Sequence, residues 1–501
     1  MPNQKHIVIA GAGTAGLTSA LIFRRTFPSY NITVVHSEKN PIIGVGEGST
    51  EHWRWFQDYV GIDVHEMICY ADVTHKYGIK FEDWTSHTPS YFHSVSGSGL
   101  TANNFYGTYA FCLENDLLLT NTFSWKGIIK DRVILNVDEE GVDRTHYGTN
   151  QYHFDTHKLN LYLRNFCSSN GINFVNGEIE KVIKDDKGYI SALKISSLKS
   201  PLPGDFFIDS TGFQRVLMKT MQNQEYTSYS KYLPCDSALV FQTPLDEYGK
   251  IHPYTIAKRM NAGWMWEIPT QSRRGNGYVF SSKHISKEEA LKEASDKIGT
   301  EIDDYRFIDF KTGYWNKTWQ KNCVAIGLSS GFIEPLEATS ISISIQQAKL
   351  LCSYIPTFDD GSDIMVEEYH RIMDSIMENC VSMIALHYVC DKEDTSMWAE
   401  QKDKEKPELL KRLLHLWKNK TPENHDIKTT GFELFHAPHF WHVAQGQGVL
   451  SRDIASIQLD AYGSRPSSID HINKLTSHQI SLKEADHAEE LKKTRDSISQ
   501  S

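Results

Sequence analysis

Gly11, Gly13 and Gly16 stand directly behind an apolar, β-branched run (HIVIA, 6–10) and ahead of residues with helical spacing (LTSALIFRRTF). A chain that turns there presents backbone N–H groups at a helix N-terminus, where the helix dipole favours a phosphate. The first glycine permits the tight turn, the second lets a pyrophosphate approach the backbone, and the third lets helix pack on strand; Thr14 and Ala15 complete the binding turn. An acidic side chain usually binds the ribose at the end of the next strand. Here His36 stands at that place in NITVVHS, with Glu38 two residues on, and either can accept a hydroxyl. A second glycine-rich turn, PIIGVGEGST (41–50), offers Gly46, Glu47 and Ser49 to a nucleotide. Asp209 in IDSTGF (208–213) and Gly327 in VAIGLSSG (324–331) end two further apolar runs where a nucleotide could meet the backbone.

Those turns need a parallel sheet beneath them, and its strands come from three separated segments around residues 6–37, 206–212 and 324–331. Between them, alternating stretches such as YTIAKRM, GWMWEIP and GYVFSS predict an antiparallel sheet roofing the dinucleotide. From residue 343 to 420 apolar residues recur at helical spacing, and the polar end EADHAEELKKTRDSISQS reads as frayed. The expected division is 1–350 for the cofactor module and its interwoven sheet, 351–483 for a mainly helical covering portion, and 484–501 for a polar tail.

Composition narrows the function classes. A formal charge of -11 over 501 residues, without a long basic run, argues against nucleic-acid binding. Eight cysteines without CxxC or zinc-like spacing point to reduced thiols and a cytoplasmic protein, with no metal centre expected. No apolar stretch is long enough to span a bilayer, and the first residues lack a signal-peptide layout.

The motifs GAGTAG, GVGEGST, KYGIKFEDW (76–84), YHFDTHKL (152–159), DSTGF, GWMWEIP (263–269) and GFIEPLEATSI (331–341) occur in one order along the chain. Over about residues 5–455 that order resembles the flavin-dependent tryptophan halogenases and their relatives, and the WxWxIP pattern of Trp264, Trp266, Ile268 and Pro269 is its most specific element. The resemblance implies an α/β, FAD-binding Rossmann-like fold of the GR2 type, with an antiparallel sheet on the substrate side and a helical C-terminal portion. It implies an enzyme that uses reduced FAD (FADH2), oxygen and chloride, bromide or iodide to form hypohalous acid and halogenate an aromatic small molecule. A separate flavin reductase would supply the reduced cofactor, and self-association into a homo-oligomer is open.

Carried over residue by residue, the resemblance makes Lys80 the amine that handles the reactive halogen and Glu337 the carboxylate that positions it or takes the arene proton. It gives the amides of Thr339 and Ser340 to the halide, Ile341 to the flavin contacts, and Trp264 and Trp266 to a wall between flavin and arene. Ala338 and Ser340 depart from the family, which commonly has serine and glycine there. Glu334, before Pro335, reads as structural, and so does HYVCDKEDTSMW (387–398). For the substrate pocket, His93 in YFHSVSGSG (91–99) and Phe440 and Trp441 in HAPHFWHVAQGQG (436–448) are the candidates. The aromatic partner that would follow His93 is missing, which favours an indole, phenol or other electron-rich arene over free tryptophan. Two rivals remain at this level: an FAD-dependent aromatic monooxygenase and a non-catalytic FAD-binding redox sensor. Neither gives Trp264, Trp266, Lys80 and Glu337 a joint purpose.

Overall fold

The separated apolar runs do assemble into one sheet, in the order Trp319–Gln320, Cys323–Ala325, Phe206–Asp209, His6–Ala10, Asn31–His36, Asn173–Asn176. All neighbours pair in parallel except the first two, which are antiparallel. The computed structural model describes residues 5–40, 42, 47–94, 105–118, 130–136, 151–245, 249–359, 363–427, 430–462 and 482–499. Burial on both faces explains why Ile7–Ala10 is apolar throughout. Ile7 and Ile9 face a core shared with helix Thr14–Thr26, while Val8 and Ala10 face a second core closed by Ile190, Leu193 and Ile195 of a small three-stranded sheet.

A second sheet has seven strands, ordered Tyr305–Asp309, Ser237–Thr243, Arg274–Phe280, Gly263–Pro269, Thr255–Met260, Gly78–Glu82, Ser90–Ser94. It is antiparallel except where Thr255–Met260 runs parallel to Gly78–Glu82. Trp266 lies opposite Gly277 in this sheet, and a Cβ at Gly277 would sit 2.1 Å from the Trp266 ring. The missing side chain makes room for the indole. Another three-stranded sheet joins Glu47–Gly48, Gln151–Phe154 and Thr74–Lys76, with Thr74–Lys76 at one edge.

Helices follow from residue 339, the longest being Asp363–His387, whose second half is buried almost without interruption. No helix among the described residues is long and apolar enough to cross a membrane. The chain end differs from the sequence expectation of a frayed tail. Leu482–Asp486 pairs with Arg132–Asn136, and His487–Ser499 forms a helix packed against Val64–Tyr70. The polar face of this helix dominates its composition, but Leu491 and His487 are buried and fix it.

Candidate active site

A cavity of about 1090 Å³ opens where the parallel strands end, bounded by the Gly11–Ala15 turn, Ser210–Gly212, Gly327 and the two tryptophans of the second sheet. A Cβ at Gly13 would meet open space, whereas one at Gly11 would strike the Ser210 carbonyl at 2.4 Å and one at Gly16 the Gly11 carbonyl at 2.1 Å. The turn is therefore closed toward the protein and open toward the cavity. Buried polar atoms without partners also border it: the indole N–H groups of Trp264 and Trp266, which await an acceptor. This lining fits a dinucleotide cofactor. Helix Thr339–Tyr354 begins beside the cavity, with Ser340 and Ile341 lining it. Its N-cap, Ala338, has φ 53° and supplies no side-chain cap, so the first amides remain available to an anion. The buried Thr339 hydroxyl also has no partner.

Several nucleotide candidates have other duties. His36 lines the cavity, but Arg164 donates to its Nε2 at 3.2 Å, which occupies the acceptor a ribose would use; Glu38 lines the same wall. Asp209 is fully buried, accepting from the Thr211 amide and hydroxyl, the Ser329 hydroxyl, and the Leu217 and Met218 amides. It shapes the loop that meets the cofactor instead of touching the cavity itself. Ser49 spends its hydroxyl on the Tyr152 amide. Glu47 begins the strand pairing with Phe154, and Gly46 lies outside the described residues. Gly327 lines the cavity at φ +64°, and a Cβ there would press on Ala15 at 2.7 Å.

Glu337 sits just before this helix, 2% exposed, between two imidazoles. His93 Nδ1 is 2.9 Å from both its oxygens, and His387 Nε2 is 2.6 Å from Oε1. Burial alone would push this carboxyl up, but His93 and His387 more than offset it and hold it well below the usual carboxylate range. Behind His387 the Gln447 amide donates to the Tyr91 oxygen at 3.1 Å, and Tyr91 lies 2.9 Å from His387 Nδ1. A Tyr91 O–H donated to Nδ1 leaves the Nε2–H for Glu337. Behind His93, His439 Nδ1 is 3.1 Å from Nε2, and His439 Nε2 is 3.6 Å from Glu51. His93, Glu337 and His387 are spaced closely enough to hold a cation, yet their direct hydrogen bonds already satisfy the carboxylate. Glu334 is sealed separately beside Tyr388 and Cys235, where burial pushes its carboxyl up to about 8.

The two lysines of KYGIKFEDW part company. On strand Gly78–Glu82, Ile79 lines the cofactor cavity and Phe81 stacks on His387, so Lys80 and Glu82 share the opposite face. Lys80 Nζ is 2.8 Å from Glu82 Oε1, with 29% of its side chain exposed. The expectation that Lys80 handles the halogen is thus at odds with where its amine lies. Lys76 is 1% exposed, lines the cavity and donates to the Ser49 carbonyl at 2.7 Å. Burial draws its amine down to about 8, against the opposing fields of Glu337 and Glu51.

Of the three pocket candidates, His93 alone meets Glu337. Phe440 packs against Trp417, and Trp441 donates its indole N–H to the Pro422 carbonyl at 2.9 Å, so both are core residues. Their helical neighbours His439 and His442 turn toward His93 instead. Burial, with His93 and His439 beside it, keeps His442 well below the usual imidazole range. The remainder of YFHSVSGSG, residues 95–99, lies outside the described residues. Sequence reading missed Lys76, His439 and Glu51 and took His387, in HYVCDKEDTSMW, as structural. Helical spacing offered one usable signal: His439 and His442, three apart, must share a face that Trp441 does not.

Comparison with known proteins shows the family. The profile of the tryptophan halogenase family matches residues 6–461. A tryptophan 6-halogenase of Streptomyces toxytricini is 30% identical over 451 residues, covering 85% of this chain and 86% of that one. A solved flavin-dependent halogenase from Xanthomonas campestris superposes with a TM-score of 0.81 at 27% identity, over 98% of each chain. The crystal structure of a tryptophan halogenase from Shewanella frigidimarina gives 0.86 at 24% identity, again over 98% of both chains, a likeness of fold.

Proposed function

Because the chain belongs to the tryptophan halogenase family of flavin-dependent oxidoreductases, we propose that it halogenates an electron-rich arene, an indole, phenol or similar ring, with Lys76 and Glu337 at the reacting atoms. The observation that carries this reading is the buried amine of Lys76, which lines the cavity and lies in the field of Glu337. When bound, reduced FAD with oxygen supplies the oxidising power that turns halide into an electrophilic halogen. The open amides of Thr339 and Ser340 hold the halide at the helix N-terminus, where its charge is favoured. Trp264 and Trp266 wall the cavity, so the arene is kept from the flavin and the halogen must travel to it.

Lys76 takes over from there. Near its titration point the amine can donate a hydrogen bond to hypohalous acid or, neutral, take the halogen at Nζ as the O–halogen bond breaks, the departing hydroxide leaving as water with an amine proton. Attack by the ring leaves a proton on the carbon that gained the halogen, and a Glu337 oxygen accepts it. His93 and His387 keep that carboxylate ionised and aimed. No aromatic residue follows His93 in YFHSVSGSG, which favours arenes other than free tryptophan. The reduced cofactor comes from a separate flavin reductase.

The test is a coupled reaction of purified protein, FAD, NADH, a flavin reductase and oxygen, run with chloride, bromide and iodide against a panel of indoles and phenols, with catalase present. Halogenated product that disappears in Lys76→Ala supports the reading. Hydroxylated product, or halogenation that survives in Lys76→Ala and disappears in Lys80→Ala, overturns it.

A further inference from the structure

Among the described residues Thr74–Lys76 is an edge strand, so no strand of that sheet meets its outward side. The His75 amide instead donates to Nε2 of His487 at 3.2 Å, and the other ring nitrogen, Nδ1, donates to the Ile251 carbonyl at 2.9 Å. One neutral imidazole therefore joins the lysine strand to the turn ahead of Thr255–Met260. The next residue, Tyr77, is tied to that same turn through the Pro253 carbonyl at 2.8 Å. His487 is itself held: its amide donates to the Asp131 carbonyl at 3.2 Å, Leu482–Asp486 pairs with Arg132–Asn136, and Leu491 is buried in the main core. Nothing about a polar chain end requires a fully buried histidine, and this one contacts the residue adjoining Lys76.

We propose that Leu482–Ser499 is a clamp on the lysine strand, and that His487 is a positioning residue which fixes Lys76 at the edge of the cavity. The inference rests on the role given to Lys76 above. A catalytic amine displaced by about 1 Å loses rate by up to about a hundredfold, while cofactor binding by residues far from the strand is untouched.

The experiment compares the full chain with His487→Leu, His487→Gln, and a truncation after residue 481 with and without a synthetic 482–501 peptide. Hydrogen exchange of amides 74–77 is read by mass spectrometry, and kcat and KM are measured for bromination of whichever panel arene reacts. FAD binding is followed by fluorescence. In His487→Leu, exchange at 75 rises by about tenfold, the scale of one lost hydrogen bond. Its kcat falls tenfold or more, with KM and FAD affinity unchanged. His487→Gln, which keeps a donor and an acceptor, restores most of the rate, and the peptide rescues the truncated chain. Unchanged exchange at 74–77 in His487→Leu overturns the clamp; so does equal loss of FAD binding in the Leu and Gln variants, which would make the segment a general fold element. Should the intact protein halogenate nothing, the functional reading fails, and exchange at 74–77 still decides the clamp.

Discussion

Lys76 and Lys80 are four residues apart on successive strands and meet opposite fates. Lys76 is sealed, bonded to a backbone carbonyl and faced by two carboxylates; Lys80 holds a partly exposed ion pair with Glu82. Both read as lysines in apolar, strand-like sequence. The difference lies in which face each strand turns toward the cavity, and that is settled by sheets whose members are distant in the chain. An amine's reactivity here belongs to its surroundings, not to its local pattern.

The comparison breaks most sharply in activity. Lys76→Ala should reduce organic halogenation to below about 1% of normal, while flavin binding and reduced-flavin oxidation persist and Lys80→Ala stays near normal; product mass spectrometry on the three proteins decides it. Glu337→Gln should slow substitution by about a hundredfold, as expected when a positioned base is removed, with free hypohalous acid still trapped by an added thiol.

Stability separates the lysines next. Burial draws the folded-state pKa of Lys76 down to about 8 from the usual lysine value of 10.5, so burial costs the folded state stability at every pH below 8. That cost is relieved as pH rises from 8 to 10.5, where the unfolded chain holds the extra proton. Lys76→Met should therefore stabilise the protein by about 2 kcal/mol at pH 7, after allowing for the lost bond to Ser49. The gain should shrink above pH 8, which denaturant titrations at pH 7 and 10 would read. The smallest effect is at the other lysine: the coupling energy of Lys80→Met with Glu82→Gln should be under about 1 kcal/mol, as for surface pairs.

Much of the cofactor half was legible. GAGTAG, the separated apolar runs and the paired tryptophans each carry their physical reason in a few consecutive residues, and the strands appear where alternation put them. The proton-handling half was harder to read. Glu337 is partnered by His93 and His387, which come from 244 and 50 residues away, and no spacing rule links them. Phe440 and Trp441 look like pocket residues because they are aromatic, yet helix phase sends them into the core and brings His439 and His442 to the site. The polar tail misled for a related reason: a helix that buries only a few residues can dock firmly while its composition remains that of a solvated chain.

The strand order of the parallel sheet has a consequence for how the protein is made. Ile9 pairs with Ile208, and Ile208 in turn with Val324, so each central contact closes a loop of more than a hundred residues. Such closures are slow, whereas the hairpin between Gly263–Pro269 and Arg274–Phe280 needs only a short turn. During synthesis Ser210, which backs the turn at Gly11, emerges ahead of the tryptophan hairpin, whereas Gly327, which borders the same cavity, emerges only after it. The first residues made thus wait for the segment around Gly327 before the cavity they border is complete.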